Sequence, residues 1–523
     1  MWIQALILIL IIAAAIAFYF QQRGLRTAYI WLVITAICMG VWILLFLIPV
    51  ERATPFVIRN WFQIGMHSVS LNFGLNAFNW PFVFSVAAFN ISFFLSAVVR
   101  LDIRSDMKYW LTQLMLTAAA IMAITVSNIW TLLIMWTALD ILFFFYNYYV
   151  IRSAYTIQIF RTMIIKFFGS MLLIWNIARS FRGDVNFSLD FLSQGSGLSL
   201  FLAAFLHSGV LPLTFQIENN RTETDRVIQN TFKAVNFLAS FFIVPYLIIP
   251  EQPLIALLVF KLIALAATMV FSYQWMISIS STGFGYLLAA ISGIIFFLLL
   301  SGSTISVAYL LLSTFFSMLW FTLFTHRGKG VYIYLGFFLL TISGLPFTIF
   351  SLGARGFLDQ GLSINSLILL ISYVFILTGF VNRGVEKQDN FYELEPWYQA
   401  VYLTGLFMFI FSLFVISIKS FSSVGEETYL WWLSLGVIIS SAGLNVGFSR
   451  KNRKSLVSSR TADMRYGEIT SFFSLNWLFR ITNLIRQKFG KLITGFSLLL
   501  EGEGGVLWAL VLLILMISLI NPQ

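Results

Sequence analysis

Apolar runs of membrane-spanning length follow one another along this chain almost without pause, and no other feature limits its fold so strongly. A helix crosses a bilayer with about 20 apolar residues. Of the 523 residues, 59% are hydrophobic and only 10% charged, and the mean hydropathy is +0.90. Soluble domains carry about 25% charged residues, so an all-α polytopic membrane protein is expected. Barrel strands would alternate apolar and polar positions, and these runs do not. Apolar length and polar breaks predict about 16 transmembrane helices. They fall at 3–20, 28–49, 78–99, 109–127, 129–150, 161–180, 197–215, 230–249, 253–274, 282–301, 304–325, 331–350, 363–382, 397–418, 428–447 and 505–521.

The formal net charge of +11 is explained by orientation in a membrane rather than by nucleic acid. With the N-terminus outside, the inner connections hold Arg23 and Arg26; Arg100, Arg104 and Lys108; Arg152; Arg221 and Arg226; Arg327 and Lys329; Arg383 and Lys387. A basic segment over 449–491 adds to the same side, whereas the outer connections are poorer, with Arg52 and Arg59, then Arg182, then Lys419. This bias predicts an N-out protein of a prokaryotic plasma (inner) membrane, with 449–491 cytoplasmic. The first run lacks a basic n-region and a small-residue cleavage site, so it reads as a retained span.

One segment departs from spanning periodicity. Over about 464–500, Leu478, Ile481, Ile485, Phe489, Leu492, Phe496 and Leu499 recur at three or four residues, with Arg480, Lys488 and Lys491 opposite them. This predicts a lateral amphipathic helix along the inner interface, followed by the final span. It serves as a surface anchor or as a strut against a partner.

Two stretches echo each other: "SGVLPLTF" at Ser208–Phe215 in the seventh span and "SGLPFTIF" at Ser343–Phe350 in the twelfth. Four spans lie between them, so they cross in opposite directions. Gly209, Pro212, Gly344 and Pro346 are the expected helix breaks, because proline removes a backbone hydrogen bond. Interrupted helices in two inverted five-helix repeats account for the pattern. The resulting organisation is 1–108 for spans 1–3, 109–250 and 251–396 for the two repeats, and 397–523 for the remainder.

Ionisable groups within spans are costly and mark function by default. Those within or at the edge of spans are Asp140, Lys166, His207, Lys233, Lys261 and Arg355. Asp140 and His207 are the leading candidates for a proton or ion path, followed by Lys233; Lys166 lies near the start of its span, where it can snorkel to the interface. The alternative for Asp140 is a purely structural ion pair. Trp136 and Tyr146 read as packing. Cys38 is the single cysteine, so no internal disulfide forms. No Cys/His cluster, dinucleotide fingerprint, P-loop or CxxC occurs, and neither metal nor cofactor is expected.

With these residues in place, the chain resembles the antiporter-like subunits of respiratory complex I and the Mrp-type cation/proton antiporters over most of its length. "NIWTLLIMWTALDIL" resembles the family's fifth span, with Asp140 where a glutamate is usual, and "AAFLHSGVLPLTFQ" resembles the broken seventh, with His207 in place of a lysine. "LTISGLPFTIFSLGARGF" resembles the broken twelfth span, Arg355 lying near the usual lysine, and "VSLNFGLNAFNWPFVF" resembles the start of the third, with Asn76 for an aspartate. The lateral helix and last span resemble the family's longest subunit. The chain departs at "FQIENNRTETD", at "YQWMISISSTGFGYL" and at "VAYLLLSTFFSMLWFTLF", where the family's central basic residues are missing. The resemblance implies that Asp140 and His207 exchange a proton and Lys233 is the next station. It implies a proton- or sodium/proton-translocating subunit of a larger NADH-quinone oxidoreductase-like or antiporter complex, with other membrane subunits as partners. The alternatives are a non-transporting scaffold subunit, or an energising partner for uptake of another solute such as inorganic carbon. A polytopic transferase is disfavoured by the short outer connections.

Overall fold

The computed structural model describes residues 2–447, apart from 51–52, 65–66, 101–106, 151–155, 181–188, 190–196, 212–222, 248–253, 279–282, 325, 359–360, 362, 385–388 and 422–428. They belong to one compact unit, Met1–Arg453; residues 454–523 group as a second unit. The expected lateral helix at 464–500 and final span at 505–521 lie outside the described residues.

Two helices, α1 (Trp2–Gln22) and α2 (Thr27–Leu47), precede a hairpin of β1 (Phe56–Ile64) and β2 (His67–Phe73). Next come α3 (Trp80–Ser96), α4 (Met107–Ile124), α5 (Ile129–Phe145), α6 (Thr156–Ser180), α7 (Gly197–His207) and α8 (Glu223–Phe241). The chain continues as α9 (Leu254–Ile277), α10 (Gly283–Leu300), α11 (Thr304–Leu323), a two-residue β3 (His326–Arg327), α12 (Lys329–Ile342), α13 (Ile349–Arg355) and α14 (Ile364–Gly384). A two-residue β4 (Asp389–Asn390), α15 (Pro396–Phe421) and α16 (Tyr429–Gly447) complete it. Among the described residues, 11 helices are long and apolar enough to cross a membrane. The chain is an integral membrane protein.

Helices α4 to α8 pack on one another in a ring, closed by α4 against α8. In the second half α9 packs on α10 and α14, and α11 on α13. The halves meet where α11 lies along α8. α1 packs on α4, α15 on α3 and α16 on α14. α3, α8 and α10 are the innermost, each buried over 89% of its spanning window. α3 and α10 are apolar round most of their surface, as lipid-shielded helices can be, whereas α8 also carries Asn230, Lys233, Asn236 and Ser240.

The hairpin occupies what the sequence treats as an outer connection. Val69, Leu71 and Phe73 alternate with Ser68, Ser70 and Asn72, the period of a strand. The strands pair antiparallel from Phe56↔Phe73 to Ile64↔His67. Asn128 ties them to the start of α5, its side-chain amide donating to Ser70 O at 2.7 Å. The same side chain caps α5, accepting from Thr131 N at 2.8 Å.

Both expected breaks end a helix, and in the same way. α7 stops at His207, Ser208 Oγ donates to Phe205 O at 2.6 Å, and Gly209 takes φ +74°. α12 stops at Ile342, Ser343 Oγ donates to Leu340 O at 2.6 Å, and Gly344 takes φ +84°. Positive φ at the residue after a helix favours glycine, which is why Ser-Gly recurs. Pro346 follows in the turn that leads to α13, whose start Thr348 caps. Pro212 lies outside the described residues.

Candidate functional site

Asp140 sits on the buried stripe of α5 formed by Ile129, Leu132, Trp136, Leu139 and Asp140 itself. Residues four apart share a helix face, so Trp136 and Asp140 project together. His207, the last residue of α7, enters between them. Its ring stacks on Trp136 with centroids 4.1 Å apart and planes within 7°. Its Nε2 lies 3.2 Å from Asp140 Oδ2. The contact is direct: the shorter aspartate needs no bridging water to reach the imidazole.

The other carboxylate oxygen is taken by Lys166, whose Nζ lies 2.8 Å from Asp140 Oδ1. This corrects the expectation that Lys166 snorkels to an interface. α6 begins at Thr156, earlier than the apolar run predicts, and has 25 residues. Lys166 is therefore ten residues in, about 15 Å along the axis, and only 1% exposed. Its ammonium also lies 5.0 Å from the centroid of Phe143, one turn beyond Asp140. Gly169 makes this reach possible. A Cβ there would stand 2.8 Å from both Ala203 O and His207 N. Only glycine lets α6 lie so close against the end of α7.

The fourth member comes from α8. His207 Nδ1 lies 2.7 Å from Ser240 Oγ, and Trp136 Nε1 donates to the neighbouring Ala239 O at 3.3 Å. Four helices thus supply Lys166, Asp140, His207 and Ser240 in an unbroken row. His207 is fully buried and Asp140 is 8% exposed.

Elementary donor rules fix the protons. A carboxylate only accepts, so Nε2 carries hydrogen toward Asp140 in both charge states of the ring. The titrating position is then Nδ1, facing Ser240. A hydroxyl both donates and accepts, so Ser240 can partner neutral and protonated imidazole alike. Lys233 lies seven residues before Ser240 on α8 and is half-buried. Two helical turns separate them, about 10 Å on one face.

The remaining candidates stand elsewhere. Lys261, on α9, lies 5.8 Å from the Phe297 ring centroid. Arg355 ends α13 and lines a cavity against α14 and α16. Sequence reasoning passed over Ser240, and it placed Arg383 among loop cations. Arg383 is instead 7% exposed at the end of α14. Its guanidinium stacks 3.2 Å over Trp275 and donates to Trp275 O at 3.2 Å and Ser278 O at 3.0 Å, closing the end of α9. Lys419, read as an outer-loop cation, lies 4.0 Å over the Trp80 ring centroid.

No protein-family model and no curated protein sequence matches the chain. Solved structures do. A chain of the Mrp complex from Dietzia sp. superposes with a TM-score of 0.70 at 12% identity, covering 99% of this chain and 63% of that one. The chain has the antiporter-like subunit fold. A chain of an archaeal membrane-bound sulfane sulfur reductase, a respiratory membrane complex, gives a TM-score of 0.64 at 12% identity over 98% of this chain and 99% of that one. A chain of respiratory complex I from Thermus thermophilus gives 0.57 at 14% identity over 84% of this chain and 100% of that one. The antiporter-like fold here spans just under two thirds of the Dietzia chain's length. Such identities carry the fold and not the activity.

Proposed function

We propose that this chain is a proton-translocating (or cation/proton-translocating) antiporter-like membrane subunit of a larger complex, working with other membrane subunits. The observation that carries this reading is a buried carboxylate held simultaneously by an ammonium at 2.8 Å and an imidazole at 3.2 Å. Enclosed groups of this kind mark proton relays in membrane proteins. A proton arriving at Nδ1 through Ser240 gives an imidazolium beside Asp140. The carboxylate then holds two cations, which weakens its claim on Lys166. Loss of the proton restores the Lys166–Asp140 pair. Lys233 is the next group toward the second half. We place the N-terminus outside and 449–491 on the cytoplasmic face of a prokaryotic plasma membrane, on the charge bias of the connections.

The test is proton flux in proteoliposomes after a pH jump. His207→Gln retains hydrogen-bonding groups but cannot carry the proton, and it is expected to lower flux about 100-fold or more, the usual worth of one proton-transfer group. Ser240→Ala is expected to slow flux, while Ser240→Thr restores it. Wild-type flux in His207→Gln would refute the relay.

A scaffold reading has one observation in its favour. Helices α9 to α14 contain no Asp or Glu at all, so the second half has no carboxylate within its helices to continue the relay. A wild-type protein that conducts no protons, alone or in its complex, while still holding that complex together, would establish the scaffold reading.

A further inference from the structure

α8 carries a polar stripe. Gln229, Lys233, Asn236 and Ser240 follow one another at intervals of four, three and four residues, which places them on a single side of the helix. From Val227 to Val244 every residue is buried except Gln229 and Lys233, which are half-buried. The stripe is tied at both ends. Gln229 Nε2 donates to Asn147 Oδ1 at 3.3 Å, and Ser240 Oγ lies 2.7 Å from His207 Nδ1.

Contacts with α5 fix the depth of the middle of the stripe. Trp136 bonds to Ala239 O, Phe143 packs on Phe232, and Asn147, in the π turn that continues α5, accepts from Gln229. α5 and α8 therefore run antiparallel, and Asn236 stands level with Asp140. Asn236 is 2% exposed, and its Oδ1 accepts no hydrogen bond from any described residue. A carbonyl is costly to bury unpaired, and water commonly satisfies buried polar atoms of this kind. Exchanging the amide oxygen and nitrogen would leave a donor unpaired instead, which water serves equally.

We propose that Asn236 is a positioning residue for the proton step between His207 and Lys233, its amide holding a water between Ser240 and the lysine. The inference rests on the relay reading above and names the piece that joins its stations. Ser240 and Lys233 stand about 10 Å apart along the axis, beyond a direct hydrogen bond, and the flexible lysine stem covers part of that distance. The Asn236 amide cannot carry the proton, since its oxygen only accepts and its nitrogen only donates. Water does both. With one hydrogen fixed on Asn236 Oδ1, the water accepts from Ser240 and offers its other hydrogen to Lys233. The Nδ1–H bond of the imidazolium breaks and its proton joins Ser240 Oγ. The hydroxyl's own proton passes to the water, and the water's free hydrogen passes to the unprotonated amine of Lys233. Imidazolium becomes imidazole, amine becomes ammonium, and hydroxyl and water keep their composition.

The test compares variants of the full-length chain in proteoliposomes after a pH jump, with thermal unfolding measured alongside. Asn236→Leu removes the amide at nearly constant volume. It is expected to lower flux about tenfold, the usual worth of one hydrogen bond, and to unfold at no lower temperature than wild type. Asn236→Ser, whose hydroxyl can still hold the water, is expected to restore most of the flux. An amide that merely braces the helices would behave otherwise: its loss would lower the unfolding temperature, and serine would not restore flux. Either of those results would overturn the proposal, as would wild-type flux in Asn236→Leu. His207→Gln separates the two readings. Flux lost there but wild-type in Asn236→Leu would end the water-holding role alone, whereas wild-type flux in both variants would end the relay itself.

Discussion

Asp140→Asn is expected to cost about 3–5 kcal/mol of stability, because it leaves the Lys166 ammonium buried with no counter-charge. Lys166 is 1% exposed, and beside the carboxylate it has the face of Phe143, worth about 2 kcal/mol at a desolvated site and carrying no counter-charge. Lys166→Met should be strongly destabilising too, though less so, since Asp140 keeps the contact to His207. The double variant Asp140→Asn/Lys166→Met removes both charges together. Replacing a buried pair by uncharged groups is often neutral or better, so it should recover most of the wild-type stability. Unfolding of the three variants in detergent forms a double-mutant cycle with an interaction energy well above 1 kcal/mol. Proton flux should be lost in all three. Recovery of stability without flux would separate the structural worth of the pair from its role in transport. An Asp140→Asn protein as stable as wild type would mean that Lys166 and Asp140 do not carry opposite charges in the fold.

Gly169→Val should be nearly as severe, at about 3 kcal/mol, the upper end for overpacked sites. The obstruction is backbone, Ala203 O and His207 N at 2.8 Å, so no side-chain rotation relieves it. α7 would have to move away from α6, taking His207 from its place between Trp136 and Asp140. Thermal unfolding and flux should therefore fall together. Gly40 on α2 is the contrasting position, since an added Cβ there meets nothing within 4 Å. Gly40→Ala is expected to be neutral or slightly stabilising, since alanine is the better helix former. Equal effects at Gly169 and Gly40 would show that the close approach of α6 and α7 carries no strain to release.

Hydropathy made the succession of spans legible, because lipid forces each backbone to satisfy itself within one helix. Span ends were less legible. α6 starts at Thr156, just before a run containing Gln158 and Arg161, and those polar residues hid its first turns. That shift is why Lys166 looked peripheral. The meeting of Asp140 with His207 was foreseen from the fold resemblance, and the i, i+4 placement of Trp136 could have added the stacking partner. Ser240 had no distinguishing signal. Serines in apolar helices usually bond to their own backbone, as Ser292 and Ser412 do here, and only the fold reveals the one that turns to a histidine. The Ser-Gly breaks were readable because positive φ has so few tolerant residues. The hairpin was readable too, from its two-residue period, although a short apolar–polar alternation between spans passes easily for a connection.

The twin helix stops have an electrical consequence. Each leaves the negative pole of a helix, about half an elementary charge, among buried residues, His207 and Ser208 in one case and Ile342 and Ser343 in the other. At the end of α7 that pole falls on His207, a side chain able to answer with a positive charge. At the end of α12 the hydroxyl of Tyr373 donates to the Ile342 carbonyl instead, and a phenol answers with a dipole only. The two halves thus share one architectural device but wire it differently: the first terminal is connected to something that can switch, the second is insulated.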